Sequence, residues 1–384
     1  MKKLLVGALL FSLPVMLFIG ICEYLLLSYK EDVPVSSVIA AQVAAKHESY
    51  YDRCFFDNST SLYKLEMAKK KNAEILVIGR STVLNFRAEM FHPFESKFYN
   101  MGFAFNTVSE IQSLLNLIKN KKLHKPKIIL IGLDAATIKS GLLDHIDRID
   151  TPHQDEVYNI KLHFLAYQLL LRQLILKEGV KLSPDKKLGF GYLGDCGVGF
   201  RNDGSRSEAI AIRKSVVDPK FDDNGLFREE LNEKQYPFDA PYKTSNVLIQ
   251  SFLTLLADMK KNGITPVIFF PPVADDFYNY IGKNQEFGPF FKEYLAFQNV
   301  LLKLNYDVIR FQTPQQLGLN DTYMLNSIHP GETMVGKLWY NFLVTKPHSG
   351  ILNNIDTAYL HALLSTKQPT PLAFIPDTLI FGRK

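Results

Sequence analysis

The chain is poor in the residues that hold metals and cofactors in a readable order. Only three cysteines occur in 384 residues, and no Cys-x-x-Cys or paired Cys/His spacing is present, so a zinc ribbon or finger is excluded. Neither Gly-x-Gly-x-x-Gly nor Gly-Lys-Ser/Thr follows any β-rich run. A dinucleotide or P-loop site is therefore not expected, and the sequence calls for no cofactor. Charge of one sign is also scarce. The net charge is +5, with no dense Lys/Arg stripe interleaved with aromatics, which excludes nucleic acid as a partner. Internal repeats and low-complexity segments are lacking as well.

What is present is apolar material in quantity. A hydrophobic content of 47% against 22% charged supplies the core of one elaborated domain or of two smaller ones. The first apolar run is the longest. Lys2 and Lys3 precede Leu4 to Leu27, a stretch that carries one charge, Glu23, and is long enough at helical rise to cross about 30 Å of hydrocarbon. Residues 1–30 read as a retained membrane anchor rather than a cleaved signal, whose apolar region spans roughly 7 to 15 residues. Ala40-Ala41 and Ala44-Ala45 keep cleavage open as the alternative. The positive-inside tendency places the amino terminus in the cytoplasm and the rest outside it. Cys54 and Cys196 then face an oxidising compartment, either as one disulfide or as two separate thiols.

Residues 31–71 read as a linker ending in a short helix, and the ordered α/β domain is expected over residues 72–346. Five short β-rich runs are spaced along it: Glu74 to Gly79, Lys97 to Met101, Lys127 to Leu133, Pro266 to Phe270 and the weaker Tyr306 to Phe311. Helical spacing lies between them. "TVSEIQSLLNLIKNKK" aligns Val108, Ile111, Leu114, Leu115 and Ile118 on one face, and "SNVLIQSFLTLLADMKKNG" does the same before stopping at Gly263. Strands alternating with helices predict a mostly parallel five-stranded sheet covered on both faces. The alternation is interrupted over residues 140–243, an insertion with one amphipathic helix near Leu162 to Lys177 and then Gly-rich turns. Residues 347–384 predict a last helix and a Pro-bearing tail.

Ser81 stands after the first strand in "EILVIGRSTVLNF". Ser is a favoured helix N-cap, so alone it carries little chemistry. "NSIHPGE" puts His329 in a polar turn after the fifth strand, from which an imidazole can reach across the carboxyl edge of the sheet towards Ser81. Acidic and histidine residues in "DHIDRIDTPHQDE" (Asp144, His145, Asp147, Asp150, His153, Asp155) are more simply a solvated face than a metal site, and no metal is expected.

Strand-Gly-x-Ser, Asn-x-Gly after the second strand, Gly-x-(Asn/Asp) after the third and (Asp/Asn)-x-x-His near the end together resemble the SGNH, or GDSL-like, hydrolase superfamily. With its anchor, the chain is similar to the D-alanine transfer protein of teichoic-acid synthesis and to alginate-type O-acetylation proteins. The resemblance implies a flavodoxin-like three-layer α/β sandwich and a serine esterase or O-acyltransferase of cell-envelope glycans, working beside a membrane-bound O-acyltransferase. It makes Ser81 the nucleophile and His329 the base. Asn326 takes the place of the Asp that usually orients the base. Ser81 and Gly102 supply backbone oxyanion donors, and Asp134 stands where an Asn is usual, although an ionised carboxylate accepts and does not donate. Asn106 is a substitute donor if its loop turns inward. Arg80 pairs with Asp134, binds an anionic substrate group or forms an ordinary surface ion pair. A catalytically silent domain that binds glycan or docks on the acyltransferase is the competing expectation.

Overall fold

The computed structural model describes residues 2–45, 48–53, 60–139, 160–175, 189–195, 197–217, 224–235, 238–366 and 370–373. Cys54, Cys196 and the acidic stretch from Asp144 to Asp155 lie outside the described residues. In chain order the strands are β1 (Tyr50–Tyr51), β2 (Ile75–Ile78), β3 (Phe98–Asn100), β4 (Ile128–Gly132), β5 (Gly189–Phe190), β6 (Val198–Phe200), β7 (Arg206–Glu208), β8 (Thr265–Phe269) and β9 (Asp307–Ile309). The chain divides into two compact units, residues 1–63, 151–202 and 207–209 in one, and 64–150, 203–206 and 210–384 in the other.

The larger unit is built on a five-stranded sheet in the order β3-β2-β4-β8-β9, with every pairing parallel. Numbered within this sheet the order is 2-1-3-4-5, that of flavodoxin-like doubly wound sheets. Parallel strands covered on both faces read as continuous apolar runs. Accordingly Ile75, Leu76, Val77 and Ile78, and Ile128 through Ile131, are all buried. Each such side chain contributes about 1.5–3 kcal/mol on leaving water. The covering helices include Val108–Lys119, Asn246–Lys261, Phe287–Lys303 and Glu332–Thr345. Thr107 opens the first of these with a capping box in which its side chain accepts from Glu110 N.

The smaller unit departs from the sequence expectation. Residues 31–71 are not a linker throughout: Val35–Ala44 is helical, and β1 pairs parallel with β5 and antiparallel with β6 in a small sheet ordered β5-β1-β6-β7. Strands of two or three residues leave no period to read, and aromatic packing replaces it, with the Tyr51 and Tyr63 rings 4.5 Å apart. The amino-terminal helix runs from Lys2 to Ser28, and its segment Leu10–Ser28 is long and apolar enough to cross a membrane, with a mean hydropathy of 2.1. The insertion helix Ile160–Ile175 packs on the carboxyl-terminal part of that helix.

Candidate active site

The first strand of the central sheet ends at Gly79, whose φ of 136° few side-chain-bearing residues adopt. Beyond it the chain tightens into a 3₁₀ turn, Ser81–Val83, rather than an α-helix. This turn sits over the end of β4, and the approach depends on Gly132. A Cβ there would come within 2.2 Å of Val83 Cγ1. Ser81 is the first residue of the turn, not its cap. Arg80 holds the cap position and makes no side-chain capping bond. The turn's own bonds run from Val83 N to Arg80 O and from Leu84 N to Ser81 O, so the Ser81 N–H belongs to the first-turn donors that a helical turn does not use internally.

The second half of the pair comes from the loop after β9. Leu325 N donates to His329 O at 2.8 Å, and Met324 bridges Pro330 in antiparallel fashion, closing a small turn from which the His329 ring projects. His329 Nε2 lies 2.7 Å from Ser81 Oγ, and His329 Nδ1 lies 2.8 Å from Asn326 Oδ1. The same amide oxygen accepts from Ile328 N at 3.2 Å and from His329 N at 3.0 Å. Two backbone N–H groups can be met only by the oxygen of the amide, which fixes its orientation. Nδ1 must therefore carry the proton, and Nε2 presents its lone pair to the Ser81 hydroxyl. Burial, reinforced by the positive charge of Arg206, pushes the His329 imidazole down to about 4, so at neutral pH the ring is an unprotonated acceptor. The Phe227 ring lies 6.1 Å from it at a steep angle.

Asp134 occupies the loop after β4. It accepts from Thr82 Oγ1, at 3.0 Å to Oδ1 and 3.2 Å to Oδ2. Burial raises its carboxyl above the usual carboxylate range, against the opposing pull of the Arg80 charge and the Thr82 bond. Of the roles open to Arg80, electrostatic pairing with Asp134 is supported by the pull of its charge on that carboxyl. Gly102 N donates to Asn100 Oδ1 at 2.8 Å. Asn106 Nδ2 donates to Phe103 O at 2.9 Å, so its amide is engaged within its own loop.

Ser81, His329 and Asn326 are thus brought into one hydrogen-bonded line, with Arg80 and Asp134 on the loops that carry and flank Ser81. Among the described residues no group of three or more His, Cys, Asp and Glu could hold a metal ion. A recess of about 450 Å³ lined by Lys69, Asn72, Lys121, Lys122, His124 and Lys125, with Ile118 and Leu123, contains none of the site residues.

Four contributors were not singled out from sequence. Thr82 orients Asp134. Asn100 holds the turn from the second strand, its Nδ2 donating to Val83 O at 2.8 Å and Phe86 O at 3.0 Å. Asn85 Nδ2 donates to Pro330 O at 2.6 Å, and Arg87 pairs with Glu332 at 3.4 Å, both side chains 3% exposed. These last two contacts tie residues just after Ser81 to residues just after His329. A signal existed for Asn100, which sits two residues before Gly102, the spacing at which an Asn side chain meets a following N–H. For Asn85 and Arg87 there was none, because their partners lie 245 residues away. The chain matches no family model, no curated protein and no solved structure.

Proposed function

We propose that the larger unit is an SGNH-type serine esterase or O-acyltransferase. The observation that carries the reading is the Ser81–His329–Asn326 line, with the base in the right tautomer and within hydrogen-bond reach of the hydroxyl. Nε2 takes the Ser81 proton as Oγ attacks an acyl ester, and the resulting imidazolium is held by the Asn326 amide oxygen through Nδ1–H. The tetrahedral oxygen is met by the Ser81 N–H. Collapse expels the alcohol, which takes its proton from Nε2 and leaves an acyl-serine. A second hydroxyl, deprotonated at the same Nε2, then attacks the acyl carbon, the bond to Ser81 Oγ breaks, and Oγ takes its proton back from Nε2. Under this reading the amino-terminal helix anchors the chain in a bacterial inner membrane with the domain outside the cytoplasm, and the acceptor is a cell-envelope glycan or similar polyol. Tethering beside a membrane-bound O-acyltransferase raises the local concentration of acyl donor without new contacts, which favours transfer over hydrolysis.

One observation favours a second reading. The Gly102 N–H and the Asn106 amide are both engaged within the protein, and Asp134 accepts a hydrogen bond instead of offering one. A site this short of oxyanion donors suits a silent module that binds glycan or docks on the acyltransferase. The purified full chain in detergent separates the two. An enzyme hydrolyses small acetyl esters and Ser81→Ala abolishes the activity. A silent module hydrolyses none, and Ser81→Ala leaves envelope acylation in cells unchanged.

A further inference from the structure

The span Leu10–Ser28 contains one charged residue, Glu23, and the insertion helix meets it. His163 Nδ1 lies 2.9 Å from Glu23 Oε1, and Tyr167 OH donates to the same oxygen. Around this polar contact Cys22, Leu25 and Leu26 of the first helix, with Tyr29 just beyond its end, pack on Ala166, Tyr167 and Leu170 of the insertion helix. An ionisable group in a membrane segment is costly unless another side chain meets it, so these two partners must lie at the depth of Glu23. That depth follows from the sequence. Glu23 is five residues inside Ser28, the end of the span, which at 1.5 Å per residue is about 8 Å. Helices lying in a membrane interface reach roughly 5–10 Å into it.

The opposite face of the insertion helix is exposed among the described residues. Phe164, Leu165 and Leu171 are 57%, 49% and 42% exposed, alongside exposed Gln168 and Arg172. On the first helix Leu13, Leu17, Tyr24 and Leu27 are likewise exposed. We infer that the insertion helix Ile160–Ile175 is a second membrane contact, lying in the outer-leaflet interface against the anchor with Phe164, Leu165 and Leu171 among the lipid acyl chains. This rests on the anchor reading above and is independent of the catalytic one. Lipid is the occupant because the helix that carries this exposed face packs directly on the span, and because Arg172 supplies the long cationic side chain that reaches back to headgroups.

The test uses the full chain with Cys22, Cys54 and Cys196 replaced, reconstituted into vesicles of phosphatidylcholine and phosphatidylglycerol with no other protein. A polarity-sensitive fluorophore is attached singly at Phe164→Cys, Leu171→Cys, Leu13→Cys or Val247→Cys, the last an exposed position in the larger unit. Lipids carrying a nitroxide near the headgroup should quench the Phe164 and Leu171 labels at least twofold more than the Val247 label, and aqueous iodide should quench them less. If Leu13 is quenched by lipid while Phe164 and Leu171 behave like Val247, the inference is overturned and the anchor stands; that outcome would assign the face to a protein partner. If Leu13 escapes quenching even by lipids that carry the nitroxide at the end of the acyl chain, near the bilayer centre where Leu13 lies, the anchor reading itself fails and takes the inference with it.

Discussion

Ser81 and His329 are held in place by different forces. Ser81 is positioned by packing: the turn that carries it is pressed onto β4 at Gly132, and Val83, Leu84 and Phe86 behind it are fully or nearly fully buried, with the Phe86 ring edge-on to Phe269 and Trp339. His329 is positioned by hydrogen bonds: one amide oxygen gathers three donors, and Ala274 N donates to Ser327 O at 2.9 Å to secure the same loop. Packing tolerates no change of volume but is indifferent to pH. A hydrogen-bonded loop tolerates small changes of shape yet fails when a single acceptor is lost. The two halves should therefore respond differently to mutation.

The largest effect is expected where the chemistry itself is removed. His329→Ala should lower ester turnover about 10⁴-fold or more, as loss of a general base does in related sites, with the melting transition retained in calorimetry. Next comes the orienting amide. Asn326→Ala frees the tautomer and the loop together and should lower kcat about a thousandfold, whereas Asn326→Asp supplies a charge that favours imidazolium. In the Asp variant the acidic limb of the rate profile should move upwards from about pH 4. A limb that stays in place would show that Asn326 does not govern the ring.

On the packed side the order of effects is reversed. Gly132→Ala drives a methyl towards Val83 and should cost about 1–3 kcal/mol of stability as overpacking does, read as a lower denaturation midpoint, with activity falling because the Ser81 turn is displaced. The smallest change concerns the tie between the halves. Asn85→Ala leaves the Pro330 carbonyl without its donor and should cost about 1–3 kcal/mol, with kcat reduced about tenfold and KM nearly unchanged. If Gly132→Ala instead spared stability while Asn326→Ala unfolded the chain, the contrast between the two loops would be wrong.

The same contrast explains what could be read from the sequence. The five strands of the central sheet were legible because buried parallel strands are written as apolar runs, and the glycine after β2 and the one closing β4 mark where the chain turns over the sheet edge. Ser81, His329 and Asn326 were legible as residue types on loops at one edge. The N-cap role open to Ser81 falls to Arg80 instead, and a three-residue 3₁₀ turn begins at Ser81 because close approach to Gly132 leaves the Arg80–Leu84 segment little room. The smaller unit was read as linker and insertion because its strands are two or three residues long and its partners are distant in sequence. Contacts such as Asn85 to Pro330 and Arg87 to Glu332 join residues 245 apart, a juxtaposition created by the sheet order and carried by no local pattern.

The central claim is that Ser81 is activated by His329. It is tested most directly by the rate at which a fluorophosphonate labels the full chain in detergent, followed across pH with the modified peptide identified by mass spectrometry. The account predicts a single adduct on Ser81, a rate that rises to a plateau with a midpoint near pH 4, and loss of that dependence in His329→Ala. An adduct on another serine, or a Ser81 labelling rate unchanged by His329→Ala, would contradict it.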